Sequence, residues 1–464
     1  MASETRGAVP ASTWKQDELL ASAAQRAMRY VRHVAEMRAA PTVMEIAGLG
    51  QLGGPLREQP SNPLDVLALL DDVGSSATVA CTGGRYFGFV TGGVLPAALA
   101  ANWLAGAWDQ NAAHRVMSPV AAHIEDTVLR WVVELLNLPS STGGGLVTGA
   151  TMANFTSLAA ARHALLKRAG WNVEDEGLFD APPLQMVIGQ EAHVSIRKAL
   201  SMLGLGRARV MQVPTDGQGR MRANALPPLT ERTIVCIQAG NVSTGGFDPA
   251  SEICARAQEA GAWVHVDGAF GLWAAAAPAR KHLVTGFSDA DSWATDGHKW
   301  LNVPFDSGIA LVREPRHLFE AMSADASYYQ LSAEREPCHY TPELSRRARG
   351  IEIWAAIQSL GRAGIAEVIE RNCQQAAFVA DRLRHEGYSV LNDVVLNQVL
   401  VGFGDTETTR RVIAALQADG TCWAGGTTWQ GQAAMRISFS SWATTDADVM
   451  TTIEAILRLA KASA

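Results

Sequence analysis

A lysine at position 299 stands between His298 and Trp300 in the stretch WATDGHKWLNVPFDSG, Trp293 to Gly308. An ordinary loop lysine keeps its charge in water. One held partly desolvated offers a nucleophilic amine able to form a Schiff base. Three other stretches carry residue types that would suit the second reading. TGATMAN, Thr148 to Asn154, is a small-residue turn opening a helix, where free backbone N–H groups and the helix dipole suit a phosphate. Asp267 closes the apolar run of WVHVDGAFG, where a carboxylate serves a loop, caps a helix or pairs with a cationic ring nitrogen. His193 in QEAHVSIRKAL follows a candidate strand and precedes a helix; it is placed to cap that helix, to be partly buried or to meet a ligand at a sheet edge.

Each stretch alone is weakly diagnostic, since glycine-rich turns and strand-end carboxylates are common. Together they match the needs of pyridoxal phosphate: an anchored phosphate, a partner for the pyridinium nitrogen, a residue against the ring face and an amine for the Schiff base.

Elements able to hold these residues follow from the pattern of the chain. LQMVIG, RVMQVP, TIVCIQAG, AWVHVDG, DSWATD and GIALV read as strands, with helical stretches such as VSIRKALSML and PASEICARAQEAG between several of them. That alternation predicts an α/β domain with a mostly parallel sheet covered on both faces. Before it, residues 14–40 carry an amphipathic helical pattern and 41–90 a Gly-, Pro- and Ser-rich irregular arm of the kind that packs on a partner subunit, with helical stretches around 96–112 and 118–136 and a glycine-rich turn before the helix of TGATMAN. After about residue 350 a long helical run leads into a smaller α+β domain with strands YSVLN, VVLNQVLVGF and AAMRISFSSW. We divide the chain into an N-terminal arm (1–95), a large domain (96–350) and a small C-terminal domain (351–464).

With 464 residues, 48% apolar and 18% charged, the chain is long enough for a large core and unlike a disordered one. A net charge of −7 gives no reason to expect a nucleic-acid or acidic-membrane partner. The six cysteines show no C-x-x-C pair, so neither a zinc cluster nor a disulfide framework is expected. The N-terminus lacks an apolar signal region, and the longest apolar run, Gly92 to Trp108, is short for a membrane span and broken by Pro96 and Asn102. These features suit a cytoplasmic enzyme.

The ordered series SPVAAHIEDTVLRWVVELLNLP, TGATMANFTSLAAAR, QEAHVSIRKAL, AGNVSTGGFDP, WVHVDGAFG, ATDGHKWLNVPFDSG and LSRRARGIEIW resembles the group II pyridoxal-phosphate-dependent amino acid decarboxylases, including the aromatic amino acid and glutamate decarboxylases. The tail CWAGGTTWQGQAAMRISFSSWAT resembles a bacterial branch of that family. The resemblance implies the aspartate-aminotransferase-like fold type I, with a mostly parallel seven-stranded sheet, and a homodimer whose subunits complete each other's sites. It also implies decarboxylation of an L-amino acid, free or within a larger metabolite, through a Schiff base on Lys299 and a quinonoid intermediate. By motif, Ala150, Thr151 and Met152 would form the phosphate turn and His298 would lie near the phosphate. His193 would stack on the ring, Ala269 would pack beneath it and Asp267 would pair with its nitrogen. Asp296 stands where relatives often carry Asn. Tyr86 and Phe89 in RYFGFVTGG would shape the substrate pocket, and an Arg of SRRARG would favour a side-chain acid.

Two departures stand out. The stretch SAEREPCHYTPEL is shorter than the corresponding loop of animal aromatic decarboxylases, leaving Tyr340 as candidate proton donor or as a packed tyrosine beside a turn. Asn241 and Val242 replace a threonine pair of many relatives. Loop changes of this kind separate simple decarboxylation from decarboxylation with oxidative deamination to an aldehyde. Replacing Lys299 by Ala should abolish the visible absorption of the lysine-bound cofactor; an unchanged spectrum would refute the lysine assignment.

Overall fold

The computed structural model describes residues 15–323 and 334–463. The arm opens with α1 (Gln16–His33), α2 (Val43–Gly48) and α3 (Pro63–Gly74). The last two lie within the stretch expected to be irregular, and local chemistry explains them. Thr42 and Glu45 form a reciprocal capping box at α2, while Asn62 caps α3 ahead of Pro63 in its first turn. α4 (Pro96–Trp108) and α5 (Pro119–Leu135) also open on prolines.

The large domain continues with β1 (Gly143–Val147), α6 (Ala150–Arg168), α7 (Val173–Glu176), β2 (Gln185–Gly189), α8 (Val194–Met202), β3 (Met211–Val213), β4 (Thr233–Gln238), α9 (Ala250–Glu259), β5 (Trp263–Asp267), β6 (Ser292–Asp296), β7 (Gly308–Val312) and α10 (Pro315–Met322). Its seven strands lie in the order β1-β7-β6-β5-β4-β2-β3, with only β7 antiparallel to its neighbours. This is the mostly parallel α/β sheet that the sequence predicts. β1 was expected only as part of a glycine-rich turn. It is a strand made of glycines because nothing larger fits: a Cβ on Gly144 would lie 2.0 Å from the Ala310 carbonyl oxygen, and one on Gly145 would lie 2.4 Å from that of Tyr340.

Alternation along β5 divides its residues between the two buried faces of the sheet. Val264 and Val266 join the apolar core on one side, while Trp263 packs on the other; His265 and Asp267 share Trp263's face by the two-residue period of a strand. That face meets α6. His163 of α6 is bonded to Glu174 of α7 at 2.6 Å and to Glu320 of α10 at 3.0 Å, which fastens these three helices together.

α11 (Gly350–His385) leads into the small domain and breaks its helical path at Gly361, where φ is 59°. The proposed division at 350 and 351 falls in its first turn. β8 (Ser389–Val390), β9 (Gln398–Gly402), α12 (Thr406–Asp419), β10 (Gly425–Trp429), β11 (Gln432–Ser438) and α13 (Asp446–Ser463) complete it, the strands forming an antiparallel sheet in the order β10-β11-β9-β8. The segment after the arm is stitched to this sheet. The Trp423 N–H donates to the Arg85 carbonyl at 3.0 Å, the Phe87 N–H to the Trp423 carbonyl at 2.8 Å, and the Ser438 N–H to the Phe87 carbonyl at 3.0 Å.

From there the chain runs to the lysine segment. The Gly92 N–H faces the His298 carbonyl at 3.4 Å, and a Cβ at position 92 would lie 1.6 Å from the carbonyl oxygen of Lys299. Among the described residues no helix is long and apolar enough to cross a membrane. Gly92→Ala should therefore displace the Lys299 segment and destabilise the fold by at least about 1–3 kcal/mol, as overpacking does. A thermal melt indistinguishable from the parent would show that this close approach is not structural.

Candidate active site

The start of α6, His193, Asp267 with Ala269, and Asp296 with His298 and Lys299 lie at one edge of the large sheet, at the carboxyl ends of β1, β2, β5 and β6, where open α/β sheets place their ligands. Lys299 follows β6. Its Nζ lies 3.2 Å from Asp296 Oδ2 and 5.9 Å from the Phe270 ring centroid, with the side chain 18% exposed. It is a half-sequestered amine facing a buried carboxylate rather than a solvated loop lysine.

Asp296 also holds the start of α6, its Oδ1 accepting from the Ala150 N–H at 2.6 Å. Of the expected phosphate turn, Ala150 is therefore already engaged, while Thr151 and Met152 follow in the same first turn, where backbone N–H groups lack helical partners. His298 stacks on Phe305 at 4.3 Å and its Nδ1 accepts from the Ser307 N–H at 3.3 Å. Burial is the main force lowering its pKa, against the pull of Asp296, so the ring is neutral at neutral pH. The buried Ser307 hydroxyl has no partner among the described residues. Gly149 and Gly308 pack backbone to backbone beside it: a Cβ on Gly308 would lie 2.4 Å from the Gly149 Cα.

His193 caps α8, its Nδ1 accepting from the Ser195 N–H at 3.3 Å and meeting the Ser195 hydroxyl at 2.8 Å. It is thus a helix cap that also faces the site. Its pKa is lowered first by burial, opposed by Asp267 and reinforced by the positive charges of Lys299 and Arg436. Asp267, 5% exposed, accepts from Asn154 Nδ2 and Ser195 Oγ at 3.3 Å each on Oδ2, and from the Ala269 N–H at 3.3 Å on Oδ1. Ala269 thus lies directly against the carboxylate. Asn241 spends its side chain on its own turn, accepting from the Ser243 and Thr244 N–H groups at 2.9 and 3.2 Å.

Tyr86 and Phe89 both stack on Trp423, with centroids 5.1 and 5.4 Å away. A Cβ on Gly88 would strike the Trp423 ring at 2.3 Å, so the stack requires glycine there. Burial pushes the Tyr86 hydroxyl up to about 12, and the charge of Arg436 on β11 acts on both Tyr86 and His193. Arg436 donates to the Val242 carbonyl at 3.3 Å. The arginines of SRRARG are committed elsewhere: Arg346 to Glu125 at 2.7 Å, Arg347 to Glu352 at 2.8 Å and Arg349 to Asp306 at 2.8 Å.

The Tyr340 ring packs under the Arg335 guanidinium at 4.5 Å and against Phe319 at 6.0 Å, contacts of the kind the packed reading expects. The loop flank from 325 to 331 lies outside the described residues.

Sequence reasoning missed Asn154, Ser195, His265, Ser307, Trp423 and Arg436 as site residues. The two-residue period of WVHVD, which sets Trp263, His265 and Asp267 on one face, was the available signal for His265.

These residues fit one group well. Free N–H groups at the α6 start and an orphaned hydroxyl suit a phosphate, Asp267 suits a cationic ring nitrogen and Lys299 suits a carbonyl carbon. Fold and site together define an α/β enzyme of the pyridoxal-phosphate type. The chain belongs to the pyridoxal-dependent decarboxylase family, whose conserved-domain model matches residues 57–403. It is 26% identical over 352 residues to L-tyrosine/L-DOPA decarboxylase 2 of Lophophora williamsii, covering 71% of this chain and 66% of that one. To the acidic amino acid decarboxylase GADL1 of Bos taurus it is 28% identical over 323 residues, 66% and 61% of the two chains. It thus spans slightly under two thirds of each relative's length. The crystal structure of Oryza sativa TDC with PLP and tryptamine superposes with a TM-score of 0.88 at 21% identity, covering 98% of this chain and 99% of that one. That likeness extends the shared fold to nearly the whole chain.

Tyr340→Ala should lower stability by about 2 kcal/mol, as truncating a half-buried aromatic does, with turnover per folded molecule within about twofold of the parent. A loss of turnover far beyond the loss of folded protein would return Tyr340 to the chemistry.

Proposed function

We propose that this protein decarboxylates an L-amino acid with pyridoxal phosphate, for which Lys299 would supply the amine that holds the cofactor's carbonyl carbon. The observation that carries this reading is the convergence on one sheet edge of Lys299 beside Asp296, the open first turn of α6 and the buried carboxylate of Asp267. Bound pyridoxal phosphate supplies a conjugated electron sink for the pair left when the bond from Cα to the carboxylate breaks. The chain's own residues do the rest. Asp267 presents negative charge to the ring nitrogen, His193 and Ala269 bound the two ring faces, and Thr151, Met152, His298 and Ser307 hold the phosphate end. Asp296 holds the Lys299 amine at the edge of the site and keeps the turn of α6 closed.

Tyr86, Phe89 and Trp423 form the substrate's apolar side, and Arg436 is the cation for a substrate carboxylate. The relatives' names span both aromatic and acidic amino acids, and the ring stack with Arg436 beside it is consistent with either. In α1 no side chain is buried, and Leu20, Met28, Val43 and Met44 of the arm stand exposed with Trp103, Leu104 and Trp108 of α4. So much uncovered apolar surface supports a homodimer in which the arm and α4 meet a second copy. We place the enzyme in the cytoplasm, in keeping with its six unpaired cysteines.

Cofactor-loaded protein given a panel of L-amino acids in air should release CO2 and the amine in equal amounts, read by mass spectrometry, without ammonia. Aldehyde with ammonia and peroxide would overturn simple decarboxylation in favour of the oxidative outcome. For any substrate that turns over, Arg436→Met should raise KM by roughly tenfold, the scale of one charge-assisted hydrogen bond; an unchanged KM would remove Arg436 from the substrate.

A further inference from the structure

Behind Asp267 lies a line of buried groups that the reaction as described does not use. Trp263 Nε1 meets Ser292 Oγ at 2.9 Å, Ser292 Oγ meets His265 Nδ1 at 2.9 Å, and His265 Nε2 meets Asn154 Oδ1 at 2.9 Å. Asn154 Nδ2 then reaches Asp267 Oδ2 at 3.3 Å and Ser195 Oγ at 3.2 Å. His265, Ser292 and Asn154 are wholly buried.

The proton positions along this line follow from the chemistry of its ends. An indole N–H only donates, so the Ser292 oxygen is the acceptor and its own hydrogen is free for His265 Nδ1. Nδ1 then accepts, which puts the ring proton on Nε2 of a neutral imidazole. Burial acts in the same direction, pushing His265 down to about 4. The Nε2–H donates to the Asn154 oxygen, and this decides which end of the carboxamide turns to the carboxylate. Were the amide reversed, its oxygen would face the Asp267 oxygen and both pairs of bonds would be lost.

We propose that His265, acting through Asn154, is a positioning residue for Asp267: the Trp263–Ser292–His265–Asn154 line aims a hydrogen-bond donor at the carboxylate and so fixes the charge that faces the ring nitrogen. Through Ser195, which touches both Asp267 and His193, the same line ties the ring-face histidine to the ring-nitrogen partner. The inference rests on the assignment of Asp267 to the ring nitrogen.

Its test is cofactor binding and spectrum rather than turnover. Apo-protein is titrated with pyridoxal phosphate by fluorescence, and the visible absorption of the loaded protein is recorded for His265→Met, His265→Gln, Asn154→Ala and Asp267→Asn, with thermal melts alongside. His265→Met and Asn154→Ala should weaken binding by roughly tenfold, the loss of a hydrogen bond to a charged group, and shift the absorption. His265→Gln retains an amide donor for the Asn154 oxygen and should bind within about threefold of the parent. Equal behaviour of the Gln and Met variants, or parental affinity and spectrum in both His265→Met and Asn154→Ala, would overturn the relay. If Asp267→Asn also matches the parent, the ring-nitrogen assignment falls instead. Should His265→Met not fold, Ser292→Ala replaces it, since it frees the histidine tautomer without removing the ring and is expected to give the same weakening.

Discussion

A carboxylate taken almost completely out of water has to be satisfied on every side, and the large domain is arranged around doing that for Asp267. Two side-chain donors and one backbone N–H converge on it, and each donor belongs to a different element: α6, the first turn of α8 and the turn after β5. An unpaired charge at such a depth would cost several kcal/mol. The parallel order of the strands is what brings these elements together, because it sets the carboxyl ends of β1, β2, β5 and β6 on one edge. The requirement of one carboxylate thus couples sheet topology to the placement of α6, α8 and the turn after β5.

Asp296 is the second buried acid on this edge and solves its problem differently. It has the Lys299 amine on one oxygen and the first N–H of α6 on the other, so it joins the lysine segment to the start of α6.

Close backbone approach makes both arrangements rigid. Gly92 lies against the Lys299 carbonyl and Gly308 against Gly149, so the turn carrying the lysine and the turn opening α6 have little room to shift. The small domain closes the opposite side. It contributes Trp423 and Arg436, and it is fastened to the segment that bears Tyr86 and Phe89 by backbone bonds. The substrate side of the site is therefore built by residues more than three hundred positions apart in the chain.

Sequence alone determined the α/β class, the positions of most strands and the placing of Lys299, Asp267 and His193 beside strand ends, because hydrophobic period marks where strands stop. Where local spacing was informative but read too narrowly, His265 was missed despite sharing a strand face with Asp267, and β1 was missed because glycine lacks the apolar signature of a strand. Only tertiary structure decided the rest. Tyr340 has the residue type of a proton donor, yet its ring packs under Arg335 and against Phe319, partners the sequence does not reveal. The three arginines of SRRARG pair with Glu125, Glu352 and Asp306, leaving Arg436 of another domain to face the site. Which charge is neutralised inside the fold and which is left for a ligand depends on partners distant in sequence, and local pattern carries no record of them.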